Sequence, residues 1–205
     1  MKREYTLINQ KEANYCVPTV LQMIEMRNNL YVQRSQENIA SYFESVSVDG
    51  LEDAGKFCSI TDLNTQYFEK RHYPLKESYY SLRYIDNFDD NLDNMISDFL
   101  HTNDDFIIFA NYTLLTNDYQ TVKETIGLDS KKLLHKHCFL ISEIIDRDNV
   151  YLVCPDTETN GGTEIIKTTI DRILKGWEVQ KNKDGLGYSR ITKLFTDDTE
   201  KKGED

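Results

Sequence analysis

The chain has 205 residues, 39% hydrophobic and 29% charged, with 35 Asp and Glu against 24 Lys and Arg for a formal charge of −11. That is the size of one compact domain with a real core, and the composition is not that of a disordered chain. With no basic patch to offset the negative balance, nucleic acid and anionic membranes are excluded as expected partners; no apolar run reaches a membrane span or signal-peptide core, so a cytoplasmic location is expected.

The first third of the chain reads as helical, and strands with a few helices follow. Val17, Val20, Leu21 and Ile24 fall on one face of a helix running to about Arg27, with Asn14 as a suitable N-cap and Pro18 tolerable in the first turn. Ser35 caps a second helix over Gln36 to Phe43, 44–56 reads as loop, and a third helix opens at Ser59 or Thr61 and stops before Pro74. Glu77 to Ile85 is a Tyr-rich strand, Phe88 to Leu100 a helix, and Phe106 to Ala110 a buried strand. The polar run from Leu114 to Leu134 carries no clear period.

Lys136 to Ile145 and Val150 to Cys154 form a hairpin around a turn at 146–149. A loop over Pro155 to Gly162, a strand over Glu164 to Thr168, a short helix over Ile170 to Trp177 and a strand over Tyr188 to Phe195 follow. The expected organisation is a single domain over 1–195, of α+β class with an N-terminal helical part packed on an antiparallel sheet, and a disordered tail over 196–205. Trp177 is expected in the core, and His72 and His101 on the surface.

Chemistry concentrates in two places. Cys16 stands at a helix start, where the dipole and unpaired N–H groups favour the thiolate, and Gln10 lies six positions upstream, near enough to donate to an oxyanion on a carbonyl under attack. A buried structural thiol and a surface amide would look the same in this stretch alone. In the hairpin, pairing Ile145 with Val150 and counting outward puts Ile141 opposite Cys154 and Phe139 opposite Asp156. Asp156 is then diagonal to His137 and Glu158 directly opposite it. A carboxylate beside an imidazole fixes its tautomer and supports it as a base for a thiol. The four cysteines, at 16, 58, 138 and 154, have no CxxC pair and no metal-ligand spacing, so no metal, cofactor or disulfide framework is expected.

The order Gln10, Cys16 with Pro18 and an apolar helix, His137 with apolar strand residues, and a return strand ending near Pro155 resembles the papain-like cysteine peptidases. It is most similar to the bacteriocin-leader-processing peptidases and their stand-alone relatives. That resemblance implies a papain-like fold, a peptide or protein substrate, Cys16 as nucleophile, His137 as base, Asp156 as its orienter and Gln10 as oxyanion support. Two positions depart from the family pattern: Val17 stands where glycine commonly follows the cysteine, and Cys154-Pro155-Asp156 stands where Asp-Pro is usual. Either Asp156 orients His137 from a shifted position, or Cys154 fills that slot and a dyad remains; His135 is the alternative base. The expected function is a cysteine peptidase or related thiol acyl-transfer enzyme, with a catalytically inactive papain-like binding protein as the alternative. A redox role for Cys138 or Cys154 is a third reading, and the acidic chain would favour basic substrates.

Overall fold

The computed structural model describes residues 2–12, 15–28, 34–40, 80–84, 88–127, 137–155, 163–179 and 187–193. Its elements are α1 (Cys16–Arg27), α2 (Gln36–Ala40), β1 (Tyr80–Tyr84), α3 (Phe88–His101), β2 (Asp105–Ala110), α4 (Tyr112–Thr116), α5 (Tyr119–Thr125), β3 (His137–Asp146), β4 (Asn149–Cys154), β5 (Glu164–Thr168), α6 (Ile170–Val179) and β6 (Gly187–Lys193). The expected third helix after Ser59, the extension of α2 to Phe43 and the tail after 195 lie outside the described residues.

The strands form one antiparallel sheet in the order β1-β6-β2-β3-β4-β5. Alternation along the strands divides its side chains into two apolar layers. Ile107, Phe109, Cys138, Leu140 and Val153 pack with α1, Ile39 of α2 and the lead-in residues Tyr5 and Ile8. Phe106, Ile108, Phe139, Ile141, Leu152 and Cys154 pack with Phe99 of α3 and with Ile170, Ile173 and Trp177 of α6. Helices thus cover both faces, where the sequence pattern suggested a helical part on one. All six residues of β2 are buried, as a strand between two neighbours and two helical layers requires. Trp177 is in the core, its indole N–H donating to Phe109 O at 2.9 Å.

α1 is buried nearly all round rather than along one stripe, and its buried polar groups are satisfied locally. The Thr19 hydroxyl donates to Tyr15 O, and Glu25 accepts from the backbone N–H and guanidinium of Arg34. The N-cap is Tyr15, whose side chain makes no cap, and Asn14 is outside the described residues; the expected Asn14 cap is corrected accordingly.

The aperiodic run after Leu114 contains the end of α4 and all of α5. Both helices are started by side-chain caps: Asn111 accepts from the N–H groups of Thr113 and Leu114, and Asp118 from those of Gln120 and Thr121.

The hairpin between β3 and β4 turns on Arg147-Asp148, with Asp146 paired to Asn149 and its carboxylate accepting from Asp148 N and Asn149 Nδ2. Two irregularities in β3 then change the register. Ser142 and Ile145 have no opposite residue, so Ile141 faces Leu152 rather than Cys154. The Ser142 bulge is used structurally: its hydroxyl donates to Tyr151 O and its carbonyl accepts from Arg3 N, beside a bridge of Lys2 to Glu143.

Candidate active site

The direction of α1 decides where Cys16 lies. At its far end Arg27 donates to Asp105 at 2.8 Å and Asn28 donates to the same carboxylate at 2.9 Å; Asp105 is the first residue of β2. The last residue of β2, Ala110, is paired with His137, the first of β3. A twelve-residue helix is about 18 Å long and a six-residue strand about 17–20 Å, so a helix fastened at Asp105 and packed along β2 places its first residue near the level of Ala110 and His137. Cys16 and His137 therefore lie at the same end of the sheet.

The lead-in brings Gln10 to that end as well. Gln10 N donates to Pro155 O at 3.2 Å, and Pro155 follows the last residue of β4, beside the start of β3. Its side chain is buried, and Gln10 Oε1 and His137 Nε2 are both sealed from solvent. Thr163 adds two ties to the lead-in, from its N–H to Asn9 Oδ1 and from its hydroxyl to Ile8 O.

Cys16 opens α1, where the first N–H groups have no carbonyl one turn behind them within the helix, and the Tyr15 side chain makes no cap. Pro18, third in the helix, removes one of these donors and leaves those of the Cys16 and Val17 peptides at the mouth of the dipole. The Cys16 side chain is 9% exposed and packs in the layer that also holds Cys138. The His137 ring is half-buried and meets the Phe139 ring edge-on at 4.8 Å, and Phe139 belongs to the other layer. Thiol and imidazole thus come from opposite faces and can meet only around the end of β3, not across one face of the sheet.

Among the sequence candidates, Gln10, Cys16 and His137 share one end of the fold, while Asp156, Glu158, His135 and Cys58 lie outside the described residues. The face-counting that set Asp156 diagonal to His137 fails because it assumed a regular hairpin, and the bulges at Ser142 and Ile145 move every outer pair. Among the described residues Cys154 and Cys138 form no disulfide, and neither has exposed surface, which removes the access a redox role would need. His101 is exposed, as expected, and its Nδ1 contacts Ser97 O.

Sequence reasoning missed Gln36. It is 2% exposed and brackets Gln10, accepting from Lys11 N at 2.8 Å and donating to Asn9 O at 2.8 Å. A glutamine in the first turn of a short polar helix carries no signal of that role. Burial raises the Glu25 carboxyl above its ordinary value against the opposing pull of Arg34. Glu37, exposed beside Lys11 at 2.6 Å, is lowered to about 2 by that hydrogen bond. A cavity of about 390 Å³ lined by Leu114, Asp118, Tyr119, Arg172 and Lys175 lies between α4, α5 and α6 and includes none of the candidate residues.

The fold is similar to that of a solved structure, a proposed C39-like peptidase from Bacillus anthracis. The match has a TM-score of 0.57 and 12% sequence identity, and covers 94% of this chain and 100% of the other. No family model matches the sequence, and no curated protein does. The likeness is one of fold: helices with an antiparallel sheet, over nearly the whole of both chains. Among the described residues no helix is long and apolar enough to cross a membrane.

Proposed function

We propose that the protein is a papain-like cysteine peptidase acting on a peptide or protein substrate, with Cys16 as nucleophile and His137 as acid and base. The observation that carries this reading is the placement of Cys16, the first residue of a helix, and of His137 and the Gln10 backbone at one end of the sheet. The fold likeness to a proposed C39-like peptidase supports it. The leader-processing peptidases are the nearest chemical precedent for the substrate.

In this mechanism Cys16 Sγ forms a bond to the amide carbon, and the carbonyl oxygen becomes an oxyanion facing the first-turn N–H of α1 and the Gln10 side-chain amide. The protonated His137 gives its proton to the amide nitrogen as the C–N bond breaks, and the amine leaves. Water, losing a proton to His137, attacks the thioester carbon; the C–S bond breaks, the carboxylic acid leaves, and the Cys16 thiolate beside protonated His137 is restored. Asp156 is proposed as the residue that orients His137. Asp156 follows Pro155 in the chain, and Pro155 O accepts from Gln10 N–H at the end of the sheet where His137 begins β3.

The second reading, a papain-like frame without turnover, draws on the low exposure of Cys16 within an apolar layer. Incubation with a mixed peptide pool, read by mass for new termini, separates the two. Cleavage present in the native chain, abolished by Cys16→Ala and retained by Cys154→Ser supports the peptidase. Cleavage that survives Cys16→Ala eliminates it.

A further inference from the structure

Gln36 stands outside the reacting groups, yet both ends of its side-chain amide are committed to the backbone around Gln10. Gln36 Oε1 accepts from Lys11 N–H and Gln36 Nε2 donates to Asn9 C=O, each at 2.8 Å, while Gln10 N–H donates to Pro155 O at 3.2 Å. The carbonyl of Asn9 and the N–H of Gln10 belong to one peptide plane, and the N–H of Lys11 to the next. Planar peptides leave a residue only φ and ψ, so fixing the planes on both sides of Gln10 fixes its backbone and the direction of its Cα–Cβ bond.

The bracket is itself tied to the helix that carries Cys16. Arg34, two residues before Gln36, is held by α1 three times: its N–H and guanidinium donate to Glu25, and its carbonyl accepts from Gln22 Nε2 at 2.7 Å. Ser35 then caps α2 through the Asn38 N–H. A continuous series of hydrogen bonds therefore runs from α1 through Arg34 and Gln36 to the two peptides of Gln10. Gln10, Glu25 and Gln36 are buried and the hydrogen bonds of the series are partly so, where an amide left unpaired is costly and geometry is held tightly.

Resting on the peptidase reading, we infer that Gln36 is a positioning residue for the oxyanion site, aligning Gln10 against the nucleophile on α1. It touches neither substrate nor thiol. Its effect falls on steps that form an oxyanion and not on thiolate reactivity, which separates it from a residue that only supports the fold.

The test compares two reactions at Cys16, both read by peptide mass. Alkylation by iodoacetamide is a displacement at saturated carbon with no oxyanion, whereas acetylation by p-nitrophenyl acetate passes through one. Gln36→Leu removes both hydrogen bonds; Gln36→Glu keeps the acceptor for Lys11 N–H, sets oxygen against Asn9 O and serves where the leucine variant does not fold. Either variant is expected to slow acetylation about tenfold or more while alkylation stays within twofold of native, a fraction of the loss from removing an oxyanion donor outright. In a Gln10→Ala background the same change is expected to do nothing further. An unchanged acetylation rate, equal slowing of both reactions, or full additivity with Gln10→Ala overturns the inference and leaves the peptidase reading standing. If native Cys16 alkylates as an ordinary thiol at every pH, the peptidase reading fails and the inference falls with it.

Discussion

Arg27, in the last turn of α1, pairs with Asp105, the first residue of β2, and through that pair the C-terminal end of the helix is pinned at the end of β2 opposite the Ala110–His137 pair. The ion pair is nearly buried, with side-chain exposures of 12% and 3%, and Tyr5 and Asn28 donate to the same carboxylate. Arg27→Ala leaves Asp105 buried without its cation, for an expected loss of about 2–4 kcal/mol in unfolding free energy. Urea denaturation at neutral pH measures it, and a loss below about 1 kcal/mol would mean that α1 is held in place by packing alone.

The same carboxylate gives a pH dependence. Burial raises Asp105 above its ordinary value, against the opposing pull of Arg27, Tyr5 and Asn28, and burial with the Asp105 charge raises the Tyr5 hydroxyl, which stays the proton donor. A carboxyl raised in the folded state holds its proton more tightly there than in the unfolded chain. Its contribution is therefore fully present below the unfolded value, about 4, and is lost as pH rises through the folded value. Asp105→Asn should remove that loss, so the difference in stability between native and variant shifts in favour of the variant as pH rises from about 4 into the range above. A shift toward the native protein over that interval would show that Arg27 and the hydrogen bonds outweigh burial.

Gly176 lies inside α6, where glycine costs backbone entropy without supplying packing. A Cβ built there meets Leu114 Cβ at 3.5 Å, an ordinary contact. Gly176→Ala is expected to stabilise the fold by about 0.5–1 kcal/mol, raising Tm by about 1–4 °C. A lower Tm would mean that the approach of α4 to α6 cannot accept a methyl group.

Asn111 caps α4 from a buried position, whereas Asp118 caps α5 from the surface. Replacing either by alanine removes an acceptor for two N–H groups, and the expected cost is about 1 kcal/mol for Asp118 and up to about 2 for Asn111, where water cannot take over. Chemical denaturation of the two variants orders them, and equal costs would show that burial adds nothing at Asn111.

These two caps also show where the sequence was legible. The α3 run is readable because a buried face imposes its repeat on the residues, and α1, β2 and the β3–β4 hairpin because their burial on nearly all sides concentrates apolar residues. Between Leu114 and Gly127 the helices are only five and seven residues long, too short to show a period, and Asn111 and Asp118 were the available signal. The hairpin was recognised but its register was not. Nothing in Ser142 or Ile145 marks a bulge in advance, and each displaced the outer pairs by one residue. Cys16, His137 and Gln10 could be singled out as candidates because their residue types are chemically distinctive, and the fold brings them to one end of the sheet. Gln36 could not, since a side chain whose hydrogen bonds go to backbone groups looks like any polar surface residue until its two partners are seen.

The measurement that tests the central claim most directly is the rate of Cys16 alkylation by iodoacetamide against pH, in the native chain and in His137→Ala, with Cys138 and Cys154 as buried internal references. A thiolate–imidazole pair predicts fast modification of Cys16 extending well below pH 8, and loss of that low-pH reactivity in His137→Ala. Slow modification that follows an ordinary thiol near pH 8.5, unchanged by His137→Ala, would contradict the account and leave the fold without its proposed chemistry.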